Sequence, residues 1–263
     1  MQYKYVTEQQ DYSDLASGRV FYSLSGHPAF PVRLASEIFQ RCVVSRKTIY
    51  NISTPSTLYD PCCGAAYHLS VLAYLHREYI QEVIGSDVDE EAVALASQNL
   101  GLLSVAGLDK RISEISKMLE LYNKDSHKDA LASGYILKDR ISAFAQEHPL
   151  TTKVFQASAT DSKAMIKNIK AKSADIVFTD IPYGQHSHWH GLNSSELLDP
   201  LGLMLNALID ILSTSSIVAI VSDKQQKVSH KGFQRVEQFV IDKKANSQKR
   251  NSENQFEFDG YGW

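Results

Sequence analysis

Residues 56–103 read STLYDPCCGAAYHLSVLAYLHREYIQEVIGSDVDEEAVALASQNLGLL. STLYD (56–60) is a short strand that Asp60 closes, and a small-residue turn around Gly64 follows. AYHLSVLAYLHREYI (66–80) then repeats apolar residues at helical spacing through Leu69, Leu72, Ala73, His76 and Ile80. EVIGSD (82–87) is a second strand, ended by Asp87. Asp89 is placed to cap the next helix, with Glu90 and Glu91 in its positive first turn. Ala92, Val93, Ala96, Leu100 and Leu103 give that helix a buried face. Strands of near-continuous apolar character alternating with helices are the pattern of a mainly parallel sheet covered on both faces.

The same alternation extends outward. PVRLASEIFQRCV (31–43) reads as a helix begun by Pro31, with Leu34, Ile38 and Cys42 on one face. KVFQA (153–157), ADIVF (174–178) and SIVAIV (216–221) are further strands, and ELLDPLGLMLNALIDIL (196–212) is the helix between the last two. An α/β fold with one domain over residues 1–263 is expected, with residues 1–50 packed on it as an N-terminal extension. Residues 104–150 interrupt the alternation. They look helical and polar, with seven Lys/Arg against seven Asp/Glu, and read as a solvated helical insertion. From about Asn246 the chain turns polar, as an outer strand or a loose tail.

Composition narrows the class. At 263 residues the chain can bury a sizeable core, and 43% hydrophobic with 22% charged residues is ordinary for a soluble protein. A net charge of −3 excludes a polycation, so any nucleic acid must meet a local patch. The three cysteines are odd in number and two are adjacent, which is no disulfide framework; a reducing cytoplasm is expected. The N-terminus lacks a signal pattern. The longest apolar stretch, LGLMLNALIDIL, is broken by Asn206 and Asp210 and falls short of the ~20 residues that span a bilayer.

Chemistry in such a sheet belongs at the carboxyl ends of the strands. Four of these ends carry candidates. At the first, the turn around Gly64 lets backbone N–H groups and a helix N-terminus approach a ligand. At the second, Asp87 can accept hydrogen bonds from both hydroxyls of a ribose. The third, FQASATD (155–161), offers Ser158 where adenine can lie. The fourth is TDIPYGQHSHW (179–189), with Asp180, Ile181, Pro182 and Tyr183 in succession. Cys62 and Cys63 read as small buried thiols. His186, His188 and His190 alternate, but a loop gives them no common face, so contact with phosphate or base is preferred and no metal is expected. Trp189, among polar residues, reads as a base or ribose contact.

The order D-P-x-C-G, then G-S-D-x-D, then D-I-P-Y-G resembles class I S-adenosylmethionine-dependent methyltransferases with a Rossmann-like fold. HPAFPVRLASEIFQR (27–41), LYDPCCGAAYHLSVLAYLHR (58–77), SDVD (86–89) and TDIPYGQHSHW (179–189) are similar to the avilamycin-resistance 23S rRNA methyltransferases of the AviRa type. The resemblance implies a guanine of 23S rRNA, or of the large ribosomal subunit, as substrate and S-adenosylmethionine as cofactor. It assigns Asp60, Cys63 and Gly64 to the cofactor loop and Asp87 to the ribose. Asp180, Ile181, Pro182 and Tyr183 become the methyl-transfer corner, and a monomer is expected.

Two departures stand out. Ser158 occupies a position where an acidic residue is common. Gly64-Ala65-Ala66 replaces the usual Gly-Ser-Gly; a left-handed backbone at position 66 would cost alanine on the order of 1–2 kcal/mol. RNA also needs positive charge. Residues 224–250 hold eight Lys/Arg, Lys224 and Lys227 among them, against Glu237 and Asp242. They read equally as a phosphate-contacting patch and as a solvated antiparallel strand pair. Arg19, His27 and Arg33 are candidates to extend the patch. Methylation of a protein glutamine or a DNA adenine, or a non-catalytic Rossmann-type RNA-binding module, are the alternatives; the absent G-x-G-x-x-G argues against NAD.

Overall fold

A computed structural model describes residues 3–24, 29–181, 189, 199–223, 228–241 and 256–262. Seven strands form one sheet: β1 (Ser56–Asp60), β2 (Ile80–Asp87), β3 (Thr151–Gln156), β4 (Ala174–Asp180), β5 (Leu212–Asp223), β6 (Gln234–Ile241) and β7 (Phe256–Gly262), in the order β3-β2-β1-β4-β5-β7-β6. The first five in space are parallel, whereas β7 runs antiparallel to both β5 and β6. Helices α1 (Val32–Tyr50), α2 (Tyr67–Leu75), α3 (Glu90–Gly101), α4 (Val105–Tyr122), α5 (Asp125–Phe144), α6 (Ser162–Asn168) and α7 (Pro200–Leu208) complete the fold.

The strands are apolar on both faces because both are covered. Successive side chains point to opposite faces. Leu58, Val83, Ile176 and Phe178 therefore join Leu34, Ile38, Phe39, Leu69 and Leu100 in one core cluster. Tyr59, Ile84 and Val177 join Met165, Met204, Leu205 and Leu208 in a second cluster on the other face. Each fully buried Leu or Phe contributes roughly 1.5–3 kcal/mol.

Local signals set several helix ends. Asp89 accepts a hydrogen bond from the Glu91 N–H and starts α3. Asp199 accepts from the Gly202 N–H at 2.8 Å and precedes Pro200. A residue before proline is disfavoured in helical backbone, so α7 begins at Pro200. Helix α1 runs past 43 to Tyr50, where Asn51 closes it in the left-handed region. The apolar count misses this last part because its inward residue is Arg46. Arg46 is buried, donating to Asp175 Oδ1 at 2.9 Å and Ser56 Oγ at 2.6 Å beneath the amino ends of β1 and β4.

The chain before α1 is stitched to the domain by a buried carboxylate. Glu37 is fully buried and accepts from the Lys4, Tyr5 and Val6 N–H groups at 2.8, 2.9 and 2.9 Å and from Arg41 Nε at 2.8 Å. Arg41 also pairs with Glu237 of β6 and lies over the Phe239 ring. Helices α4 and α5 form the segment inserted between α3 and β3. Their inner faces are apolar (Leu108, Ile112, Ile115, Leu137, Ile141), and residues 13–22 pack on them.

Helix α2 ends at Leu75, earlier than periodicity predicts, because Arg77 turns inward to donate to the carbonyls of Leu103 and His148. His76 thus leaves the helix face and lies 2.8 Å from Ser36 Oγ beside Phe39. Burial, aided by Arg140, lowers its pKa from 6.5 to about 4. Between those values the unfolded chain binds the proton and the folded one does not. Stability therefore falls as pH drops from 6.5 towards 4, by roughly 3 kcal/mol in all at 1.36 kcal/mol per unit. Replacing His76 with Asn flattens this limb in denaturant titrations between pH 4 and 7; an unchanged pH slope would exclude His76 as its source.

Candidate active site

The strand order places three carboxylates side by side. Asp87, Asp60 and Asp180 end β2, β1 and β4, which are adjacent strands, so residues distant in sequence share one carboxyl edge. This rim of negative charge suits a cationic ligand.

The turn after β1 is held from several sides. The Cys63 N–H donates to the Ser86 carbonyl at 2.9 Å, the Gly64 N–H to Asp87 Oδ2 at 2.8 Å, and the Ala66 N–H to the Cys63 carbonyl at 2.7 Å. Gly64 has φ +50°, and a Cβ placed there would meet nothing within 4 Å. Among the described residues the turn thus has room beside it, and a half-buried backbone next to a carboxylate fits a nucleoside ligand. Ala66 has φ 52° and ψ 29°, in the left-handed region. The alanine that departs from the family pattern therefore carries the backbone cost anticipated for it, on the order of 1–2 kcal/mol.

The carboxylates differ in their surroundings. Asp87 accepts from Gly64 and, at 3.0 Å, from the Asp89 N–H; burial nevertheless raises its pKa, with Asp60 adding to the rise. Asp60 is fully buried. Its Oδ1 accepts from the Cys62 N–H at 2.9 Å, while Oδ2 lies 3.1 Å from His68 Nε2 in an ion-pair contact rather than an aligned hydrogen bond. His68, in the first turn of α2, forms a cluster of three rings with Phe30 and Phe178. Burial pulls its pKa down, but the Asp60 carboxylate, with Asp180 and the Phe178 carbonyl, outweighs this and raises it above 6.5. Asp180 pairs in register with Val221 of β5, and the Ile181 N–H donates to the Val221 carbonyl at 3.1 Å. The Ile181 side chain is buried in the second core cluster, which leaves only its backbone for a ligand.

Other predicted residues are placed differently. The Cys63 side chain points away from the open face of the turn: a Cβ on Gly85 would lie 2.9 Å from its sulfur, so Gly85 provides the space that the thiol fills. Burial pushes both Cys62 and Cys63 well up, which makes them poor nucleophiles. Ser158 turns its hydroxyl to its own loop, 3.0 Å from Thr160 Oγ1.

The two arginines expected at RNA are committed within the chain. Arg19 donates to Ser133 Oγ and pairs with Asp14 and Asp129 at 3.9 and 3.8 Å. Arg33 donates to the carbonyls of Val6 and Thr7 and stacks on Tyr3. Trp189 is half-buried and packs against the second core cluster. His27, Pro182, Tyr183, His186, His188, His190, Lys224 and Lys227 lie outside the described residues.

Sequence reasoning missed His68 and Asn99. Asn99 had a signal: it sits three residues after Ala96 on the apolar face of α3, where a polar residue needs a partner. His68 had none, since its partner Asp60 belongs to another element.

Comparison with known proteins identifies the family. Residues 1–244 match the model of the family described as rRNA methyltransferase AviRa. A 23S rRNA (guanine(2535)-N(1))-methyltransferase of Streptomyces viridochromogenes is 38% identical over 226 residues, 86% of each chain. Two crystal structures of the rRNA methyltransferase AviRa from that organism, at 2.4 and 1.5 Å, superpose with TM-scores of 0.79 and 0.80. Each is 32% identical and covers 99% of this chain and 96% of the other. Among the described residues no single helix is long and apolar enough to cross a membrane. A Rossmann-like sheet, a carboxylate rim at its carboxyl edge and a match over nearly the whole chain lead to one conclusion: this chain belongs to the AviRa family of rRNA methyltransferases.

Proposed function

We propose that this enzyme transfers a methyl group to N1 of a guanine in 23S rRNA, and thereby protects the ribosome against an orthosomycin antibiotic. The observation that carries the reading is Asp180, a carboxylate at the end of β4 in line with the Asp60 and Asp87 strand ends. S-adenosylmethionine supplies an electrophilic methyl on a sulfonium. Guanine N1 bears a proton, so its lone pair becomes available only as that proton leaves. Asp180 accepts the proton as N1 attacks. Asp87 holds the ribose hydroxyls, and the Gly64 turn presents its backbone to the cofactor. Tyr183, three residues on in the sequence, is assigned to stack on the base. The rim of carboxylates holds a cationic donor in place, and positioning then supplies much of the rate.

The test is transfer of labelled methyl to 23S rRNA, 16S rRNA and assembled large subunits in parallel. Methylation of N1 blocks base pairing, so reverse transcription halts at one guanine of 23S rRNA. Label on an exocyclic nitrogen, or label confined to 16S rRNA, overturns the assignment. For the cofactor, Asp87→Ala weakens S-adenosylmethionine binding by roughly 1.5–3 kcal/mol in calorimetry, the range for a hydrogen bond to a charged group. Unchanged affinity in the folded variant removes Asp87 from the site.

A further inference from the structure

We propose that Asn99 is a positioning residue for the cofactor turn, locking the peptide between Ala65 and Ala66 in the orientation that S-adenosylmethionine meets. This rests on the reading of that turn as part of the cofactor site. Asn99 is fully buried in α3. Its amide accepts from the Tyr22 N–H at 2.8 Å and donates to the Tyr22 carbonyl at 3.0 Å and the Ala65 carbonyl at 2.8 Å. Only one orientation of the amide satisfies all three, because the flipped form would set its oxygen against two carbonyls.

The geometry gives this contact a specific consequence. The Ala65 carbonyl and the Ala66 N–H belong to one peptide plane. Cys63 O holds the N–H end of that plane, and Asn99 holds the carbonyl end. Rotation of this plane is the motion that carries Ala66 out of its left-handed conformation at φ 52°. The flanks of the turn are fixed separately, by Ser86 on the Cys63 N–H and by Ser70 on the Ala66 carbonyl. Loss of Asn99 therefore releases the middle of the turn and leaves its ends in place. Glycine at position 66 adopts the left-handed conformation without a tie. The strap that orients Asn99 is itself anchored on α4, where the Tyr22 hydroxyl meets Glu114 at 2.7 Å and its ring lies under Arg111. The inserted hairpin thus supports the cofactor turn through Tyr22 and Asn99.

The experiment measures S-adenosylmethionine affinity by calorimetry for Asn99→Ala, Asn99→Ser, and each combined with Ala66→Gly. With the competent turn populated about a tenth of the time, Asn99→Ala binds about tenfold more weakly. Ala66→Gly restores most of that loss, while KM for RNA at saturating cofactor does not move. Affinity within twofold of the unchanged protein, or a loss that Ala66→Gly does not relieve, overturns the proposal. So does failure of both Asn99 variants to fold even with Ala66→Gly, since Asn99 is then a residue of the fold alone. Asp87→Ala is measured alongside. If it too binds normally, the site reading itself fails; if it weakens binding and Asn99→Ala does not, only this inference falls.

Discussion

Asp180→Ala lowers the single-turnover rate of methyl transfer by about 10²–10⁴-fold at saturating cofactor and RNA, the span that a positioned proton acceptor supplies. Asp180→Asn falls nearly as far. The amide keeps the shape and one acceptor, but it takes up a proton far less readily than a carboxylate, and guanine N1 cannot attack while protonated. The comparison therefore separates proton acceptance from orientation. Single-turnover measurement keeps binding out of the result. An Asn variant within tenfold of the unchanged enzyme reduces Asp180 to an orienting acceptor. Normal rates in a folded Asp180→Ala protein leave it as the end of a strand and nothing more. His68 is placed to influence this outcome. It is buried beside Phe30 and Phe178 and in contact with Asp60, whose strand adjoins that of Asp180.

The second large effect is on stability. Glu37→Ala costs about 3–5 kcal/mol, because it removes one partner from a buried ion pair and strips three backbone N–H groups of their acceptor. Detachment of residues 3–24 relieves part of this by exposing those N–H groups to water, which keeps the cost within that range. For a chain of this size the loss appears as a fall in Tm of about 2–4 °C per kcal/mol. The same group gives an acid signature. Burial works against its charge, but hydrogen bonds from Lys4, Val6, Tyr5 and Arg41 prevail and lower its pKa below the usual 4.5. Its contribution is complete above pH 4.5 and disappears as pH falls through the lower, folded value. A Glu37→Ala protein within 1 kcal/mol of the original in urea titration would show that the N-terminal segment is held by other contacts.

Sequence alone determined what depends on neighbours along the chain. The strands β1, β2, β4 and β5 declare themselves by central apolar runs (Leu58-Tyr59, Val83-Ile84, Ile176-Val177-Phe178 and Ile217 to Val221), because both faces are buried there. Asp89 declares its cap because a helix start needs an acceptor within its first turn. The strand-end acids were legible for the same reason: a carboxylate that closes an apolar run is visible in one dimension. Tertiary structure decided which of these acids are neighbours, and it turned the sequence order 60, 87, 180 into the spatial order 87, 60, 180. It also decided the fate of the charged and amide side chains. Arg19 and Arg33 looked available for RNA; Arg19 is spent on α5 and Asp14 and Arg33 on the N-terminal segment, while Glu37, Arg46 and Asn99 are polar and yet buried. Periodicity reports the face on which a residue sits; a buried charge or amide is tolerated there only when a partner arrives from elsewhere in the chain. The partners here are Lys4 to Val6 for Glu37, Asp175 for Arg46, and Tyr22 with Ala65 for Asn99, and only folding brings them within reach.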